Sequence, residues 1–117
     1  MCKLFHNMKL DILPFEQISS GAKTIELRLC DEKRSKLKVG DVIVFTNVAT
    51  KETLKAEVVG LHRFDSFREL YKSLPLLKCG YTKQNVENAS PADMEKYYSC
   101  EEEKKYGALG IEISLIK

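Results

Sequence analysis

The chain has 117 residues, 44% of them apolar and 31% charged, with a net charge of +2 at pH 7. That balance fits one globular domain over residues 1–117 and excludes a disordered chain or a pair of domains. No run approaches the roughly 18 apolar residues of a membrane span, and the small net charge does not by itself point to nucleic acid.

In chain order, Met8–Ile12 is strand-like and leads into a short helix. Pro14 suits its first position, Phe15 and Ile18 share a face, and Gly21 stops it. Residues Lys23 to Cys30 alternate: Ile25, Leu27 and Leu29 point one way, while Thr24, Glu26 and Arg28 point the other. A basic loop, Lys33 to Lys38, precedes the turn Val39-Gly40-Asp41 and the β-branched run Val42 to Thr46. With Thr53 to Leu61, that run reads as an antiparallel hairpin. Ser66 with Glu69 is a capping box opening a helix that carries Phe67, Leu70 and Tyr71 and ends near Pro75. Ser90-Pro91-Ala92-Asp93 opens another, bearing Met94 and Tyr97. Glu101 to Tyr106 is acidic first and basic last, as the helix dipole favours, and Gly107 closes it. Leu109 to Ile116 alternates as a last strand.

About five strands with short helices between them, and no β-α-β rhythm, predict an α+β fold. The expected form is a small, partly open antiparallel β-barrel with helices over its ends. A flat α+β sandwich is the alternative.

Cys2, Cys30, Cys79 and Cys100 form no C-x-x-C pair, and His6 and His62 are near none of them in sequence. No metal is expected on that spacing and no cofactor is expected, and the cysteines read as buried or half-buried small hydrophobes. The N-terminal residues lack the apolar core of a signal peptide, so a cytoplasmic location with reduced thiols is expected. Residues 1–83 carry net +5 and residues 84–117 net −3, a mild segregation that leaves a protein–protein adaptor as one further reading.

The segment Ser20 to Arg28, followed by Lys38 to Phe45, resembles the ASCH domain family of the PUA-like superfamily. Gly21, Lys23, Glu26 and Arg28 meet its G-x-K-x-x-E-x-R signature, and Gly40-Asp41 meets its G-D turn. Lys105 to Ile111 is similar to its closing strand. The resemblance implies a β-barrel whose cleft is lined by the signature residues, with RNA or a nucleotide-like small molecule as partner; no membrane partner is expected, for want of an apolar span. The ligand-binding candidates are Gly21, Lys23, Thr24, Glu26, Arg28 and Tyr106.

Each candidate has a physical role of its own. Gly21 supplies the reversal between helix and strand. Lys23, at a strand start, either faces solvent or holds a phosphate in the cleft. Glu26 and Arg28, two apart on one strand face, make a mutually satisfied pair or else read a base edge and a phosphate. Tyr106, Phe45 and Tyr81 are candidate stacking surfaces.

Some relatives of the family are amidohydrolases of N4-acetylcytidine, in which this lysine, a threonine three residues later and a distant glutamate resemble a catalytic set. Here Glu26 occupies the threonine position, and Glu57 or Glu69 would have to fill the distant role. Lys23 and Glu26 are therefore the catalytic candidates, as general acid and base acting on water in a small hydrolase of a modified nucleoside or RNA.

Overall fold

The computed structural model describes residues 4–116. Five strands, β1 (Phe5–Leu10), β2 (Ile25–Leu29), β3 (Val42–Asn47), β4 (Thr53–Phe64) and β5 (Ala108–Leu115), form one sheet in the order β1-β3-β4-β5-β2. The sheet curls into a half-barrel with β1 and β2 at its two edges. Three pairings are antiparallel, including the expected β3–β4 hairpin. The pairing of β1 with β3 is parallel, which corrects the all-antiparallel expectation. Parallel neighbours need a long crossover, and residues 11–41, carrying a helix and β2, supply it.

The concave face holds the main core, with Met8, Leu10, Ile43, Phe45, Val58, Leu109 and Ile111 among its residues. Helix α1 (Ile12–Ser19) adds Phe15 and Ile18 to it. It starts two residues before Pro14, so the proline stands in the first turn without heading it. On the opposite face Ile25, Leu27 and Leu29 pack against Phe67 and Leu70 of helix α2 (Phe67–Ser73), with Cys79 and Ala108. Both faces of β2 are therefore covered, including the one that carries charge. In β4 the register with β5 shifts between Val58 and Gly60, a bulge that bends this 12-residue strand around the barrel.

Ser66 caps α2, accepting from Glu69 N (3.2 Å), which is the Ser66 half of the expected capping box. The second capped segment is a 3-10 helix, Pro91–Lys96, and not an α-helix. Two further 3-10 turns, Leu76–Lys78 and Val86–Asn88, precede it, so the chain between α2 and helix α3 (Cys100–Tyr106) is a series of tight turns. Cys30 is half-buried, Cys79 buried and Cys100 exposed, so the buried reading fails for Cys100; Cys2 lies outside the described residues.

The G-D turn is structural. Gly40 has φ 100°, and the buried Asp41 carboxylate accepts from Leu4 N (3.3 Å) and Lys38 N (3.1 Å) and meets His6 Nε2 (2.9 Å), fastening β1 to the turn before β3. Two other glycines differ in what they tolerate. Gly107 has φ 76°, and a Cβ there would lie 2.6 Å from Phe64 O. Gly21 has φ 85° with nothing within 4 Å of an added Cβ. Gly107→Ala is thus expected to lower stability by about 1–3 kcal/mol through strain and backbone displacement. Gly21→Ala should cost roughly 1 kcal/mol from its left-handed conformation alone. Urea midpoints that move equally for both variants would refute the distinction.

Candidate functional site

A cleft of about 490 Å³ opens where the two edge strands of the half-barrel approach each other. On its barrel side stand Lys23, Glu26 and Arg28. Glu26 leaves β2 on the same face as Ile111, its cross-strand partner, so its carboxylate sits at the margin of the main core. Only 3% of the residue is exposed. Both of its oxygens are engaged: Oε1 by Lys23 Nζ (2.7 Å) and Oε2 by Arg28 Nε (2.8 Å). Arg28 Nη2 then reaches across the opening to Lys9 O on β1 (2.8 Å). One guanidinium thereby joins a buried carboxylate to the far edge of the sheet and closes the seam.

Burial by itself would raise the Glu26 pKa. The Lys23 ammonium and the Arg28 guanidinium outweigh that effect and hold it below the usual glutamate range. The triad carries two positive charges and one negative. Lys23 is placed by a backbone bond from its N–H to Gln17 O (3.0 Å), which ties the residue after the Gly21 turn to α1. Its side chain is 9% exposed and meets one acceptor, Glu26. An ammonium has three donors, so two N–H groups remain at the cleft for a ligand's oxygens.

The opposite wall comes from Tyr71 on α2 and from the turn-rich chain between α2 and α3. Tyr71, Tyr81, Tyr97 and Tyr98 line it, with Asn85, Met94 and Lys96. Tyr81 donates its hydroxyl hydrogen to Asp93 Oδ2 (2.6 Å), and the Tyr71 and Tyr81 hydroxyls lie 2.7 Å apart. Asp93 Oδ2 also accepts from Ser90 N (3.2 Å) as part of the capping box of its own 3-10 helix. One carboxylate oxygen therefore serves both the backbone of this wall and its tyrosines. Burial and the bond to Asp93 push the Tyr81 pKa well above the ordinary phenol value. Burial pushes the Cys79 thiol, also in the cleft, up to about 11. Tyr81→Phe removes both hydroxyl contacts and is expected to cost about 1–3 kcal/mol. A thermal melt checks it, and an unchanged melting temperature would mean that the relay does not hold the wall.

The structure places Lys23, Glu26 and Arg28 of the signature in one cleft, together with Tyr81 of the three aromatic candidates. Gly21, Thr24 and Tyr106 are not among the lining residues of this cleft. Thr24 acts through its backbone, donating to Lys78 O (2.9 Å) and accepting from Ile113 N (2.9 Å). Tyr106 packs on the second core, and Phe45 lies fully inside the first. Neither Glu57 nor Glu69 lines the cleft; its carboxylates are Asp11, Glu26 and Asp93. His62 meets Glu112 Oε1 across the sheet (2.6 Å). Among the described residues no three His, Cys, Asp or Glu side chains are placed to hold a metal ion. No helix among them is long and apolar enough to cross a membrane.

The sequence profile of the ASCH domain family matches residues 8–117. Two solved structures share about a third of the sequence over nearly all of both chains. The crystal structure of hypothetical protein PH0355 is 34% identical, covering 97% of this chain and 100% of that one, with a TM-score of 0.82. The solution structure of PF0455 from Pyrococcus furiosus is 33% identical, covering 97% and 99%, with a TM-score of 0.73. A crystal structure of a ZmASCH variant from Zymomonas mobilis is 13% identical, covering 96% of this chain and 68% of that one, with a TM-score of 0.67, a likeness of fold. A search of curated proteins finds no match.

Proposed function

The chain belongs to the ASCH domain family, whose PUA-like fold is generally RNA-binding, and on that premise we propose that it is a binding module holding one nucleotide unit of RNA in the cleft. The observation that carries this reading is the buried Lys23 ammonium, which lines the cleft with one acceptor, Glu26, for its three donors, opposite a wall of four tyrosines. A cation at the floor suits a phosphate or carbonyl oxygen, and tyrosine faces suit a base whatever its identity. Arg28 holds the floor in place while Lys9 and Lys96 add positive charge to the lining.

The same geometry favours binding over hydrolysis. A general base works best with a pKa near the working pH, whereas Glu26 is held below the glutamate range by its two cationic partners. The Cys79 thiol, at about 11, is protonated at neutral pH. No serine or threonine is among the described residues lining the cleft.

The test is a tyrosine-fluorescence titration with the four ribonucleoside 5′-monophosphates and the four homopolymeric hexaribonucleotides, at low and moderate salt. Saturable binding that weakens with salt is expected, since phosphate contacts release counterions. Absent or salt-independent binding would remove the reading. Release of product from acetylated or unmodified nucleosides, followed by chromatography, would instead favour the hydrolase.

A further inference from the structure

The basic loop lies against the same edge strand that borders the cleft. Lys33 Nζ donates to Asn7 O (2.7 Å), and Arg28 Nη2 donates to Lys9 O (2.8 Å). Asn7 and Lys9 are alternate residues of β1, so these are consecutive carbonyls on its open edge, roughly 6.6 Å apart along the strand. Arg28 belongs to the cleft floor, and Lys33 therefore stands one step along the seam from the cleft mouth. Lys9 is exposed and lines the cleft beside Arg28.

The loop carries a second lysine on the same face as Lys33. Lys33 is the residue before a 3-10 turn, Arg34–Lys36, and already has helical dihedrals (φ −67°, ψ −47°). In a 3-10 turn the side chains at i and i+3 eclipse, so Lys33 and Lys36 share one face. Both are exposed. Arg34 does not belong to that face: Asp31 Oδ2 holds its guanidinium (3.1 Å). The turn thus presents lysines and keeps its arginine paired.

We propose that the cleft takes one nucleotide of a continuous single strand, and that the strand's backbone leaves along the barrel seam over Lys9, Lys33 and Lys36. This inference rests on the RNA-binding reading of the cleft. It deepens that reading by giving the flanking nucleotides a path along the seam, a contact that a free nucleotide cannot make. Lysine ammoniums at intervals along an extended edge are suited to successive phosphates, and they act as point charges without base preference. Base contact is left to the tyrosine wall.

The experiment compares each ribonucleoside 5′-monophosphate with the hexaribonucleotide of the same base, for the wild type and for Lys33→Ala/Lys36→Ala. Wild type is expected to bind at least one hexamer about tenfold or more tightly than its monophosphate. The double variant should lose most of that advantage, with its salt slope lower by roughly 1.4 for two lost phosphate contacts on a single strand. Its monophosphate affinity should not change. Lys36→Glu, at an exposed position of the turn, repeats the test if removing the Lys33 bond to β1 lowers stability. Hexamers that bind no better than monophosphates, or that bind the variants as well as wild type, overturn the seam track and leave the cleft reading standing. Binding of neither ligand overturns both.

Discussion

Glu26→Ala is expected to destabilise the protein by about 3–5 kcal/mol, because it leaves two buried cations without the anion between them. For a domain whose whole stability is of the order of 5–15 kcal/mol, that is a large fraction. Glu26→Gln keeps the shape but not the charge, and it should recover only part of the loss. The same residue sets an acid dependence. Its folded pKa lies below the ordinary value, so its contribution is fully present above the unfolded glutamate value of about 4.3 and is lost as pH falls through the lower folded value. Urea unfolding between pH 7 and pH 2.5 reads both effects. Wild type should lose stability steeply below about pH 4, and Glu26→Gln less steeply over the same window. A Glu26→Ala variant as stable as wild type would mean that the triad relaxes or hydrates freely, and the scaffold role would be abandoned.

Much of the barrel side of the site was legible because its determinants are local. Gly21, Lys23, Glu26 and Arg28 lie within eight residues, and strand parity alone puts Glu26 and Arg28 on one face. Burial was not legible: the polar face of β2 reads as solvated until the edge of β1 arrives to cover it, and that edge comes from the parallel β1–β3 pairing, which leaves no periodic trace. The tyrosine wall was hidden for a related reason. Tyr71, Tyr81, Tyr97 and Tyr98 are spread over 28 positions; Tyr71 stands on α2, and the other three are carried to it by 3-10 turns whose register follows neither helix nor strand period. The one local clue was the Ser90–Asp93 capping box, which marks where Asp93 is held but not that Tyr81 also bonds to it. Asp41 shows the reverse case. The G-D pair was visible as a turn, and its longer-range contacts with Leu4 and His6 appear only once β1 lies beside β3.

Lys23→Met separates the ligand's member of the triad from the scaffold's. A lysine free at a strand start would leave stability almost untouched on substitution, but Lys23 is buried and bonded to Glu26 at 2.7 Å. Its removal nevertheless leaves Glu26 and Arg28 as a neutral pair and not as an unmatched charge. The stability loss should therefore be about 1.5–3 kcal/mol, the worth of one hydrogen bond to a charged group, and smaller than that of Glu26→Ala. Methionine keeps much of the apolar stem's packing, so the fold is retained. Affinity for the ribonucleotide probes should fall by about tenfold or more, since one charge-assisted hydrogen bond of roughly 1.5–3 kcal/mol is lost. The two variants thus diverge: Glu26→Ala is read chiefly in the melt, and Lys23→Met chiefly in the binding curve. If Lys23→Met unfolds the protein as severely as Glu26→Ala while the folded fraction binds normally, the lysine belongs to the scaffold, and the cleft's ligand must be held by the tyrosine wall and the seam cations instead.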